Sequence, residues 1–293
     1  MKLRVTLSLL LGFISVTLHA LEQKPVNYPK FEIANTQVIP IKDTHSDRQY
    51  ELYIKLPKGY ADKPEKQYPV IYMTDAKFHM EILSSATFFM FEEVILVGVS
   101  WQKDIDPSLK KEVGEYVSRF RDYSIKPSNK ADRQAKYQFG GANKHLAFIR
   151  NDVFRFVEHN YRTLTDERTY FGFSLGGLFG TYALMTQPGL FKNYILGSPS
   201  IWEFGPYLFS LEAEELKNQK LALNLYVTYG QLEEELIPHI DQFLNDLKNK
   251  NYPSIASLNF QVIDASGHSD SFPIMGVKSI KWLSSQQNKG DKQ

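Results

Sequence analysis

Gly172-Phe173-Ser174-Leu175-Gly176 sets a hydroxyl between two glycines, and the residues around it read as a strand, a sharp turn and a helix. Tyr170 to Phe173 is a short apolar run suited to a buried parallel strand. Leu175 to Met185 carries Gly176, Gly177, Gly180 and Ala183, small residues that let a helix lie close to a sheet. In that setting Gly172 and Gly176 permit strained backbone angles and close approach, leaving the Ser174 hydroxyl exposed at the strand's carboxyl end. A serine hydroxyl is a poor nucleophile at neutral pH. It requires a base to take its proton and amides to hold the oxyanion that develops on an attacked carbonyl.

Chain order narrows the choice of base. In proteins with this strand-turn-helix serine the sequence runs serine, acid, histidine, each on a loop after a strand. Only His239 and His268 follow Ser174. His239 lies within a helical pattern after Pro238, whereas Asp264-Ala265-Ser266-Gly267-His268-Ser269 follows the final strand, so His268 is the expected base. A carboxylate that orients the imidazole is expected after the strand ending Thr228-Tyr229-Gly230, where Glu233 is the first acid. Asp264 and Asp270 flank His268 and are alternative orienters, and a serine-histidine dyad is a further one. The oxyanion hole would combine the Leu175 N–H with that of Ala76 or Lys77, which follow the buried strand Tyr68 to Thr74.

The elements that must hold these groups alternate along the chain. Strands are expected at 37–41, 49–56, 68–74, 94–99, 170–173, 194–196, 223–229 and 258–263, and helices at 80–91, 141–161, 175–185, 212–220, 237–250 and 278–284. Such alternation means an α/β fold, a mostly parallel sheet with helices on both faces and ligands at the strands' carboxyl ends. Leu146, Ile149, Val153, Phe156 and Val157 give 141–161 a core-facing stripe, which puts His145 and His159 on its polar face. The segment around 100–140 shows charge and aromatics with little periodicity, and reads as a lid-like insertion whose Arg119, Arg121 and Tyr123 suit a binding surface. Asp43-Thr44-His45-Ser46-Asp47 could suggest a metal site, but reads as a polar loop between two strands, so no metal is assigned.

Composition bounds the remaining classes. With 43% hydrophobic and 14% aromatic residues over 293 positions, one large domain from residue 21 onward can be built. Lys2 and Arg4, an apolar run from Val5 to Leu18 and Leu18-His19-Ala20 follow the pattern of a signal peptide over 1–20. Removing it takes Lys+Arg from 34 to 32 against 33 Asp+Glu, a net charge of −1. That near-neutral chain implies neither a nucleic-acid partner nor stable membrane association. The absence of cysteine excludes disulfides and a thiol nucleophile.

Several motifs in order resemble one family: Gly140-Gly141-Ala142-Asn143-Lys144-His145-Leu146-Ala147-Phe148, Tyr161-Arg162-Thr163, Gly172-Phe173-Ser174-Leu175-Gly176-Gly177-Leu178-Phe179, and Ser198-Pro199-Ser200-Ile201-Trp202. They look like the putative esterase family, with the strongest likeness to its periplasmic siderophore-esterase branch, over about Gln37 to Leu283. The resemblance implies an α/β-hydrolase fold, a nucleophile at Ser174, a histidine at His268, and a substrate pocket bordered by Arg119 to Tyr123 and Trp202. It also departs from the pattern, since Phe173 stands where the family usually has a histidine or another polar residue.

The expected activity is that of an exported serine esterase, periplasmic or secreted, that cleaves a small-molecule carboxylic ester through an acyl-enzyme on Ser174. Siderophore esters are the specific candidates. This chemistry calls for no cofactor. Acyl transfer by the same residues and a non-catalytic binding protein are the competing readings, and the sequence says nothing of oligomeric state.

Overall fold

The computed structural model describes Tyr28 and residues 31–290, so the signal-peptide pattern over 1–20 lies outside the described residues. From Ile33 onward the chain forms one compact unit, to which everything below refers. Its sheet is built from β1 (Thr36–Lys42), β2 (Gln49–Lys55), β3 (Tyr68–Met73), β4 (Ile95–Val99), β5 (Thr163–Phe173), β6 (Asn193–Gly197), β7 (Leu223–Gly230) and β8 (Ile255–Ile263). The spatial order is β1-β2-β4-β3-β5-β6-β7-β8. The β1/β2 and β2/β4 pairs are antiparallel and every other pair is parallel. This is the mostly parallel α/β sheet expected from the alternation of elements, and the α/β-hydrolase fold that the family resemblance implies.

The helices are α1 (Ala76–Met90), α2 (Pro107–Val113), α3 (Arg119–Asp122), α4 (Ala131–Tyr137), α5 (Ala142–Phe148), α6 (Phe154–Asn160), α7 (Leu175–Thr186), α8 (Gly205–Ser210), α9 (Ile237–Lys250) and α10 (His268–Gly290). Side chains alternate across a strand, so β3 serves both faces of the sheet. Ile71 and Met73 join Met80 and Leu83 of α1 and Met275 and Ile280 of α10 in one core. Val70 and Tyr72 join residues of α5 to α7 and α9 in the other. Burial of both faces explains why β3 and β4, and β6 from Tyr194 onward, read as unbroken apolar runs.

Four local expectations are corrected. β5 begins at Thr163, well before Tyr170, because the sheet extends through a polar stretch whose Arg168 pairs with Glu158 of α6. Residues 100–140 contain α2, α3 and α4 and a 3-10 turn at Glu115–Ser118, so this segment is folded helical structure. The charged 212–220 stretch forms only a 3-10 turn, Glu214–Lys217, where Lys217 is drawn to both Glu212 and Glu214. His145 is buried, not on a polar face: α5 and α6 are joined by a π turn at Ile149–Val153, and the His145 ring meets Tyr50, Tyr123, Phe148 and Phe179.

Candidate active site

Strand register brings the chemistry together. Phe173 of β5 pairs with Gly197 of β6, Gly197 with Thr228 of β7, and Gly230 with Ile263 of β8. Four adjacent strands therefore end at one level, and Ser174, Ser198, Glu233 and His268 each follow one of them. Ligand sites in open α/β sheets form at this edge.

Ser174 occupies the bend itself. Its φ of 57° and ψ of −118° lie where side chains are rarely tolerated, and its N–H donates to Gly197 O at 2.8 Å. The strain falls on the serine and not on its flanking glycines, neither of which has a positive φ. They are needed for clearance: a Cβ on Gly172 would lie 2.5 Å from Gly176 O, and one on Gly176 would run into Thr74 Oγ1.

His268 Nε2 lies 2.9 Å from Ser174 Oγ, and His268 Nδ1 lies 2.6 Å from Glu233 Oε2. His268 opens α10 instead of sitting on a loop, which fixes the ring's approach through the helix start. One ring face is covered by Phe173, with centroids 4.9 Å apart, so the residue that departs from the family pattern packs against the imidazole. Burial alone would raise the Glu233 pKa, but hydrogen bonds from His268, from Ser198 and from the Gly230 N–H outweigh it and hold the carboxyl below its ordinary range. Asp264 and Asp270 are not brought to the imidazole in this way; Asp270 accepts the Gly267 N–H at 3.2 Å.

Leu175 and Ala76 are the first residues of α7 and α1, where a backbone N–H has no acceptor within its own helix. The two helix starts adjoin, since the Cβ position of Gly176 is 3.3 Å from Asp75 Oδ2. Lys77 follows one position later and turns its ammonium to Glu115.

The four residues expected at the substrate diverge. Arg119 Nη2 donates to the buried Asp75 carboxylate at 2.9 Å, and Trp202 is exposed. Arg121 is turned away: Nε donates to Asp122 Oδ1 at 2.8 Å and Nη2 to Gln102 Oε1 at 2.8 Å. Tyr123 is buried and its hydroxyl accepts the Asp75 N–H at 3.3 Å, so it supports the end of β3 and offers no surface to a substrate. Three participants were not anticipated: Asp75, which also accepts Trp101 Nε1 at 2.6 Å, Ser198, and Ser200, whose Oγ lies 3.4 Å from Ser174 Oγ. Their positions just past β3 and β6 were the available signal. Among the described residues no cluster of His, Asp or Glu is arranged to hold a metal, and Asp43 instead accepts the N–H groups of His45 and Ser46.

A strand-turn-helix serine touching an imidazole that touches a carboxylate, at the carboxyl edge of this sheet, defines a serine hydrolase of the α/β-hydrolase class. The family model described as Putative esterase matches residues 44–251. The chain belongs to that family and is a serine hydrolase of carboxylic esters. It is 27% identical over 269 residues to ferri-bacillibactin esterase BesA of Bacillus subtilis, covering 86% of this chain and 90% of the relative. Among solved structures, the BES protein of Bacillus cereus superposes with a TM-score of 0.74 at 24% identity, over 89% of this chain and 98% of that one. An IroE-like serine hydrolase of Shewanella oneidensis gives 0.71 at 21% identity, over 85% and 80% respectively.

Proposed function

We propose that this chain hydrolyses the ester bonds of a siderophore, with Ser174 as nucleophile, His268 as general base and acid, and Glu233 orienting the imidazole. The observation that carries the reading is the contact sequence Ser174 Oγ, His268 Nε2, His268 Nδ1, Glu233 Oε2 at 2.9 and 2.6 Å. Ser174 Oγ bonds to the ester carbonyl carbon as its proton passes to His268 Nε2. The carbonyl oxygen gains the negative charge and is met by the N–H groups of Leu175 and Ala76. Collapse breaks the bond to the alcohol oxygen, which leaves with the proton from His268. Water then repeats the sequence on the acyl-Ser174, releasing the acid and restoring the serine.

The siderophore assignment is supported by the relation to ferri-bacillibactin esterase, which extends over most of both chains. Arg119, whose side chain stays partly exposed beside Asp75, and the exposed Trp202 are the residues we assign to an anionic and partly aromatic ligand. Export to the periplasm or medium is supported by the leader pattern over 1–20, and no described helix is long and apolar enough to cross a membrane. The single-domain organisation from residue 21, with the helical 100–140 segment bordering the substrate, belongs to the same reading.

The test compares kcat/KM of the protein lacking residues 1–20 on a trilactone siderophore and on short aryl esters. A preference for the trilactone of at least tenfold is expected. Turnover of aryl esters with none of the trilactone would remove the siderophore assignment and leave the esterase.

A further inference from the structure

Ser198 is fully buried and held at a φ of 37°, a region that side chains other than glycine seldom occupy. Its N–H donates to Thr228 O at 2.6 Å, which pins the turn after β6 to β7. Its Oγ lies 2.6 Å from Glu233 Oε1. An ionised carboxylate only accepts, so the serine donates. The same oxygen receives the Gly230 N–H at 2.7 Å, while Glu233 Oε2 faces His268 Nδ1. Ser271 Oγ stands further off, at 3.4 Å from Oε1, and also donates to His268 O at 3.1 Å.

A glutamate side chain ends in a freely turning carboxylate, and one backbone amide does not fix its plane. A second donor on the same oxygen does. We propose that Ser198 is a positioning residue: its hydroxyl locks the Glu233 carboxylate so that Oε2 meets His268 Nδ1–H, which keeps Nε2 bare to accept the Ser174 proton. The strained backbone at Ser198 is what aims the hydroxyl inward, and strain of this kind persists where the surroundings over-determine it. Neighbouring ionisable groups point elsewhere. Asp270 accepts the Gly267 N–H, and Asp241 accepts the Tyr229 hydroxyl at 2.7 Å. The inference rests on the roles proposed above for Ser174, His268 and Glu233.

The experiment measures the pH dependence of kcat and kcat/KM, with melting temperature, for the wild type, Ser198→Ala, Ser198→Gly, Ser271→Ala and Ser174→Ala. Ser198→Gly is informative because it deletes the hydroxyl while relieving the positive φ, so relief of strain offsets part of the stability lost with the buried hydrogen bond. Both Ser198 variants are expected to lose ten- to a hundredfold in kcat, roughly what one hydrogen bond to a charged group is worth, with KM little changed. Their kcat/KM midpoint should move to lower pH, because a carboxylate free to turn stabilises the imidazolium less. Ser271→Ala should change kcat less than threefold, in keeping with its longer contact. A stable Ser198→Gly protein with wild-type kcat, or with reduced kcat and an unmoved midpoint, would overturn the inference. Turnover retained by Ser174→Ala would instead remove the reading on which it rests.

Discussion

His268 Nε2 stands 2.9 Å from Ser174 Oγ although 94 residues separate them in the chain. The contact exists because β5 and β8 end at one level, with β6 and β7 between them carrying Ser198 and Glu233. Glu233 is the member whose removal reports on the imidazole alone. Glu233→Gln keeps the shape but presents an amide where an ionised acceptor stood, favouring the wrong tautomer of His268. A fall in kcat of about 10²- to 10⁴-fold is expected, by analogy with triad acids elsewhere, with the melting temperature within a few degrees of the wild type. Steady-state kinetics on an aryl ester checks this.

Asp75 ties two elements to the end of β3. Its buried carboxylate accepts Trp101 Nε1 at 2.6 Å and Arg119 Nη2 at 2.9 Å. Asp75→Ala strands a largely buried guanidinium and an indole N–H, a change costing about 3 kcal/mol. Chemical denaturation should show that loss. Asp75→Asn, which keeps one acceptor, should lose less.

Acid should weaken the fold through His79. This residue is buried between Phe171 and Phe272, and burial pushes its pKa down to about 4. An unfolded histidine binds a proton below about pH 6.5. Between those values the unfolded chain holds more protons than the folded one, so stability falls as pH drops through that window, by roughly 3 kcal/mol at its lower end. His145, lowered by burial as well, adds in the same direction. Urea midpoints at pH 7.5 and 4.5 measure the slope, and His79→Leu should flatten it.

Gly176 lies where α7 meets the end of β3, and any Cβ there collides with Thr74 Oγ1. Gly176→Ala should displace the helix start that carries the Leu175 N–H. Loss of activity of at least a hundredfold is expected, a scale typical of a lost oxyanion donor, and Thr74→Ser should not restore it. Activity of Gly176→Ala near the wild-type level would show that α7 is not pressed on β3 here.

The sheet was legible in the sequence because its central strands are buried on both faces, which leaves apolar runs such as Tyr68 to Met73 unbroken. Ser174 and His268, which the fold brings together with Glu233, could be singled out because a sharp turn, a strand end and chain order each restrict the choice, whereas the sequence left Asp264 and Asp270 open beside Glu233. Ser198 could not: its part depends on a positive φ that no local pattern encodes, since proline follows it and not a turn glycine. Arg121 and Tyr123 looked like a binding surface because their types are common in one, but partners far along the chain, Gln102 and Asp75, claim them. His145 is likewise buried by Tyr50 from a distant strand, a contact invisible to helical spacing.

The central claim, that Ser174 forms the covalent intermediate, is tested most directly by mass spectrometry after reaction with a fluorophosphonate ester, which traps an activated serine. One adduct per chain on the peptide containing Ser174 is expected, absent in Ser174→Ala and slowed in His268→Ala, with ester turnover lost in step. An adduct on another residue, or turnover undiminished in Ser174→Ala, would contradict the account.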